Sequence, residues 1–172
     1  MLKRLPFIVF LLFIILVWKM LSTHSAHFAD VLINKRLPAF SVYTLDKNEL
    51  TDKSLLGQVT LLHIWAPWCS VCRAEYPKLN DIKAKYNITM VGIVYRDSLL
   101  NTRQWISVYG QPFDQLAVDE KGSIGVALGI TGVPETFVID KNAVVRYRQL
   151  GDIHEEDWNE HIWPLIQQLQ KS

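Results

Sequence analysis

Cys69 and Cys72 are the only cysteines in the 172 residues, and they stand three positions apart, close behind the apolar run Val59–Ala66 (VTLLHIWA). One pair allows at most one intramolecular disulfide. That excludes a multi-disulfide scaffold and a zinc site built on four cysteines. The run ahead of the pair is short, continuous and apolar, the pattern of a buried central strand. Behind it, Val71, Ala74, Tyr76, Leu79, Ile82 and Tyr86 fall near helical spacing, which predicts a helix over Cys69–Tyr86 with Pro77 as a kink. The cysteines therefore open a helix. A thiolate there faces the positive end of the macrodipole and unpaired backbone amides, so its pKa falls. In such a pair the first cysteine is placed to attack and the second, one turn in, to resolve the mixed disulfide. Cys69 is assigned as the nucleophile and Cys72 as the resolving thiol.

The remaining pattern is that of an α/β domain. Phe40–Leu45 reads as a short extended stretch after Pro38, followed by a polar loop and Gly57. Ile88–Tyr95 is a second buried strand, Ser98–Tyr109 a helix closed by Gly110, Gln115–Val118 a brief strand and Gly122–Leu128 a short helix. Glu135–Asp140 and Ala143–Gln149 read as a hairpin across Lys141-Asn142, and Glu155–Gln170 as a final helix that Pro164 could kink. Strand–helix–strand, crossover helix, hairpin and helix predict a mixed sheet with helices on both faces. Eighteen basic against seventeen acidic residues leave a net charge of +1, which excludes a nucleic-acid binder. The 49% apolar composition excludes a disordered chain. No glycine-rich phosphate loop is present, so no organic cofactor is expected.

The N-terminus is different in kind. Leu5–Trp18 (LPFIVFLLFIILVW) carries no charge and follows Lys3 and Arg4; it extends to Leu21 if Lys19 snorkels outward. Thr23 with Ser25 is the best available pair of small residues for cleavage and lacks alanine at both places, which favours an uncleaved signal-anchor over a cleaved signal. Either way, positive residues stay inside and the remainder is exported. The expected organisation is a transmembrane anchor over residues 1–21, a linker over 22–36 and one domain over 37–172.

Other uses of the two thiols remain open on the residues alone. A structural disulfide across a two-residue loop constrains the unfolded chain little. Copper delivery would need a further histidine, and three methionines are few for a copper-trafficking surface. Covalent haem attachment would need histidine where Arg73 stands. Redox exchange gains from Val133-Pro134, which opens a strand where a cis proline could pack against the disulfide and Val133 could pair with a substrate backbone.

Together WAPWCSVCRAEYP, ITGVPETFVID and VVRYRQLGDI resemble the membrane-tethered thioredoxin-like proteins of cytochrome c maturation, the DsbE/CcmG group. The resemblance runs from about Ile33 (INKRLPAF) to the final helix, with the anchor besides. It implies a thioredoxin-like fold and a reductase in the bacterial periplasm, tethered to the inner membrane. Such a protein keeps the haem-binding cysteines of apocytochrome c, or those of the partner handling them, reduced. A membrane thiol transporter of the DsbD/CcdA type is the implied electron donor. Cys69 and Cys72 are the implied exchanging pair and Pro134 the implied cis proline. Trp68, Val133, Glu75 and Glu135 are the implied active-site support, and no metal is implied. Negative charge from Glu75 and Glu135 would raise the Cys69 pKa against the helix dipole and favour reducing power. Ser70-Val71 between the cysteines departs from relatives with a proline there. His63 stands where thioredoxin has a buried aspartate; it is either a proton relay or a hydrogen-bonded strand residue.

Overall fold

The computed structural model describes residues 5–24 and 32–171. The chain divides into two compact units, Met1–Val31 and Leu32–Ser172.

The first unit contains α1 (Leu5–His24), in which Phe7 and Val9–Lys19 are exposed. Among the described residues no helix is long and apolar enough to cross a membrane. Lys3 and Arg4, and positions 25–31 of the expected linker, lie outside the described residues.

The second unit runs β1 (Ser41–Tyr43), β2 (Glu49–Thr51), a 3-10 turn (Asp52–Leu55), β3 (Thr60–Trp65), α2 (Ser70–Lys85), β4 (Thr89–Tyr95), α3 (Leu99–Tyr109), β5 (Gln115–Asp119), α4 (Ser123–Ala127), β6 (Glu135–Ile139) and β7 (Val145–Leu150). It closes with α5 (Glu155–Asp157), a π turn (Trp158–Ile162) and α6 (Trp163–Lys171). Ahead of β1, the Asn34 and Leu37 amides donate to the Val145 and Ala143 carbonyls at 2.8 and 2.9 Å, so the segment from Leu32 is bound to the hairpin.

Five strands form one sheet in the order β5-β4-β3-β6-β7. β3, β4 and β5 are parallel neighbours and require the helical crossovers α2 and α3; β6 returns antiparallel beside β3 and continues into β7. Side chains alternate along β3, so Leu61, His63 and Trp65 meet α2, α3 and the C-terminal helices, while Leu62 and Ile64 meet α4 and the β1–β2 side. All six β3 residues are buried, and side chains such as Leu62 and Ile64 each contribute roughly 1.5–3 kcal/mol when fully buried. The strand that leads into the cysteines is a fixed platform.

Two elements differ from the sequence expectation. β2 lies in what reads as polar loop; it forms because Leu50 is wholly buried while pairing with Val42. The final helix is not uniform. Pro164 has no N–H to give, and the hydrogen bonding shifts so that the Trp163 amide reaches the Trp158 carbonyl five residues back.

Candidate functional site

β3 ends at Trp65, and after three intervening residues the chain enters α2 with Cys69 as its N-cap (φ −85°, ψ 118°). The Cys72 amide donates to Cys69 Sγ at 3.1 Å, so the sulfur takes the place that a serine or aspartate oxygen holds in an ordinary cap. That bond and the open end of the helix stabilise negative charge on Cys69 once the pair is reduced. Cys69 and Cys72 form a disulfide with 5.3 Å between Cα atoms. Cys69 is 7% exposed and Cys72 1%, the order expected of an attacking and a resolving sulfur. Trp68 is 58% exposed beside them and donates from Nε1 to the Arg96 carbonyl at 3.3 Å.

The Val133-Pro134 peptide bond is cis. The Val133 carbonyl oxygen lies 3.4 Å from Cys69 Sγ. In the disulfide this is a contact; in the dithiol, Cys69 has a proton to donate to it. Of the supporting residues named from the sequence, Val133 lies against Cys69 ahead of the cis Pro134, while Glu75 and Glu135 fall in different environments. Thr136 of β6 faces α2, where its hydroxyl shares a 2.8 Å hydrogen bond with His63 Nδ1. Strand alternation turns Glu135 and Phe137 to the opposite face.

On that opposite face Glu135 is 1% exposed, and its charge is matched. Oε2 meets Arg148 at 2.6 Å, and Oε1 accepts from the Thr131 amide, the Thr131 hydroxyl and the Gly132 amide at 2.7, 2.9 and 3.2 Å. The expected unopposed negative field from Glu135 on Cys69 is therefore absent. The carboxylate instead organises the loop that presents Val133.

Glu75, on the α2 face, is 4% exposed rather than solvated. It follows Cys72 by three positions, one helical turn on the same face. Oε1 accepts the Ile153 amide at 2.7 Å, while Oε2 has no hydrogen-bond partner and lies 3.6 Å from His63 Nε2. Lys78 donates to the Ile153 carbonyl at 3.0 Å, so two α2 side chains hold the backbone at Ile153. Burial pushes the Glu75 carboxyl up to about 7; nearby Asp152 adds to the rise, and the Ile153 amide and Lys78 oppose it. Burial pushes His63 down to about 3. At neutral pH the imidazole is uncharged, and the proton of this pair resides on Glu75 when it is present at all. His63 is therefore the hydrogen-bonded strand residue of the two alternatives. Phe113 stacks near it at 5.9 Å, in space that only glycine at position 92 leaves open, since a Cβ there would lie 2.8 Å from the Phe113 ring.

A carboxyl whose folded pKa lies above its unfolded value binds more protons folded than unfolded between those values, so its contribution to stability is present below 4.5 and lost as pH rises through 7. The shift from 4.5 to about 7 corresponds to about 3 kcal/mol. Glu75→Gln keeps an oxygen for the Ile153 amide and removes the buried charge. It is expected to melt above the parent at pH 8 and close to it at pH 4.5, a difference that paired thermal melts at the two pH values would read. His63 contributes the opposite slope in both proteins and cancels in the comparison.

Arg148 and Ile153 were not singled out from the sequence. Both stand within the motif VVRYRQLGDI, which marks the segment without giving either residue a role.

The redoxin family pattern matches residues 32–162. The thiol:disulfide interchange protein DsbE of Yersinia pestis is 38% identical over 98% of this chain and 95% of its own. DsbE of Escherichia coli K12 is 37% identical over 83% and 78%. Among solved structures, a Chlorobium tepidum protein assigned as DsbE superposes with a TM-score of 0.68 at 25% identity, covering 81% of this chain and 96% of its own. MTB DsbF, solved in mixed oxidized and reduced forms, gives 0.66 at 27%, covering 73% and 94%. A disulfide capping a helix behind a buried strand, with relatives of this kind along nearly the whole chain, leads to one assignment: the chain belongs to the redoxin family, among the DsbE-type thiol:disulfide interchange proteins.

Proposed function

We propose that this protein is the reductase of a cytochrome c maturation route, tethered by α1 to the bacterial inner membrane with its redox domain over residues 37–172 in the periplasm. The observation that carries the reading is the Cys69–Cys72 disulfide at the α2 N-terminus with the Val133 carbonyl 3.4 Å from Cys69 Sγ. An attacking sulfur and a backbone carbonyl ahead of a cis proline stand together, so a polypeptide disulfide can be bound and cleaved at one place. The charge-free run Leu5–Trp18 behind Lys3 and Arg4 supports the tether. The DsbE relatives support the maturation role.

In the proposed cycle the Cys69 thiolate attacks a substrate disulfide, forming a Cys69–substrate bond and releasing one substrate thiolate. Cys72 gives its proton to the Glu75 carboxylate and attacks Cys69 Sγ. The Cys69–Cys72 disulfide closes and the second substrate thiolate leaves. Two electrons pass from the dithiol to the substrate, which picks up two protons as its thiolates are protonated. The substrate is apocytochrome c or the partner handling its cysteines, and a membrane dithiol of the DsbD/CcdA type restores the pair.

Cys72→Ser cannot close the disulfide and retains whatever Cys69 has attacked. Expressed in cells that assemble c-type cytochromes, it is expected to hold apocytochrome or its thiol-handling partners, identified by mass spectrometry of the trapped species. Many unrelated exported proteins in the trap would make this a broad oxidoreductase instead.

A further inference from the structure

Arg148 turns inward from β7, and its guanidinium is held on three sides. Nε and Nη2 reach Glu135 Oε2 at 2.9 and 2.6 Å, Nη2 donates to the Gly129 carbonyl at 2.9 Å, and the Phe137 ring lies 5.4 Å away. Both side chains of the pair are 2% exposed. Removing two charges from water largely offsets their attraction, so a buried pair of this kind is a poor source of stability. What it does here is geometric. One guanidinium touches both ends of the loop 129–135, Gly129 at its start and Glu135 at its close. The carboxylate it grips is the same one that accepts three hydrogen bonds from Thr131 and Gly132, the two residues immediately before Val133. The loop is pinned at its ends and at its middle, and the unpinned position is the one whose carbonyl faces Cys69 Sγ.

We propose that Arg148 is a positioning residue for thiol–disulfide exchange: by holding Gly129 and Glu135 together, it keeps the Val133 backbone where an incoming polypeptide disulfide must pair as Cys69 attacks it. The proposal rests on the thiol-exchange reading above. It separates two kinds of substrate. A small aromatic disulfide such as 5,5′-dithiobis(2-nitrobenzoate) needs Cys69 alone, whereas a polypeptide also needs the Val133 backbone.

The test compares the two on the same preparation of full-length protein in detergent: the small disulfide, and an oxidised Cys-Xaa-Xaa-Cys-His peptide. Misplacing a bound backbone by a fraction of an ångström costs rate steeply, so the ratio of peptide to small-disulfide kcat/KM is expected to fall about 10-fold in Arg148→Met, mainly through KM. Any general loss of active protein cancels in the ratio. Arg148→Met leaves Glu135 without its counter-charge and can fail to fold. Arg148→Lys keeps a positive charge there, and its single nitrogen replaces the fork that spans Glu135 and Gly129; it is expected to lower the ratio by a smaller factor. An unchanged ratio in folded Arg148→Lys, or in Arg148→Met where that folds, overturns the proposal. Absence of small-disulfide turnover by the unsubstituted protein would instead overturn the thiol-exchange reading on which it rests.

Discussion

Cys69→Ser will lose disulfide exchange by on the order of 10⁴-fold or more, the scale of removing an enzyme's nucleophile, while Cys72→Ser will keep the first attack and stall after it. The asymmetry follows from where the two sulfurs sit. Cys69 Sγ accepts the Cys72 amide at 3.1 Å and occupies the end of α2, where unpaired amides favour the thiolate. Cys72 is 1% exposed, one turn inside the helix, and meets a substrate only after Cys69 has captured it. Serine at position 69 offers a hydroxyl that does not ionise near neutral pH, so no comparable nucleophile remains. Single-turnover kinetics with an excess of disulfide substrate should show no released substrate thiol in Cys69→Ser. Cys72→Ser should release one equivalent of substrate thiol, with the protein recovered as a mixed disulfide. Alkylation of the reduced protein gives an independent check: Cys69 should react before Cys72. Faster alkylation at Cys72 would reverse the assignment.

Much of this site is legible in the sequence because its local signals agree with its tertiary setting. VTLLHIWA is apolar at every position except Thr60 and His63, and β3 is buried at every position. The helical spacing behind Cys69 survives Pro77, since α2 runs unbroken to Lys85. Val133-Pro134 is recognisable from its place before a strand. What escapes is set by contacts between distant segments. In β7, strict alternation would send Arg148 to the face opposite Val145. The β6–β7 register instead shifts between Val138 and Ile139, which pair with Tyr147 and Val145, so Arg146 is the unpaired extra residue. That one-residue bulge reverses the parity of the strand and turns Arg148 toward Glu135. β2 fails for a related reason, because three residues between polar turns carry no period and only the burial of Leu50 defines them.

The two glutamates show the same limit. By family resemblance they read as a shared negative charge around Cys69. The sheet separates them. Glu135 spends its charge on Arg148 and on the loop, and Glu75 is poised between its charged and neutral forms. A reducing potential raised by fixed carboxylates is therefore not what the site provides. It provides one organised loop around Val133 on one face of the sheet and a buried carboxyl, one helical turn from Cys72, on the other.

That division predicts the second large effect. Glu75→Gln should slow the resolving step by about 10²-fold at pH 7, the contribution typical of a positioned general base, and should change the shape of its pH profile. In the unsubstituted protein the step needs Glu75 ionised to take the Cys72 proton. Its rate should climb as pH rises toward the Glu75 value of about 7 and level off above it. His63 cannot take over, since burial holds its pKa near 3 and leaves it no useful basicity at neutral pH. With glutamine at position 75 the thiolate must form unaided on a buried sulfur, and an apolar surrounding disfavours its charge. The rate should then keep rising through pH 8, where the parent has already levelled. The measurement is decay of a preformed Cys69–peptide mixed disulfide, followed by released thiol from pH 5.5 to 9. Because it begins after the first attack, any effect of the substitution on Cys69 is excluded. A glutamine variant that still levels off near pH 7 would place the proton acceptor elsewhere. The Oε1 contact to the Ile153 amide is kept in the variant, so a collapse of the backbone at Ile153 would not account for the altered profile.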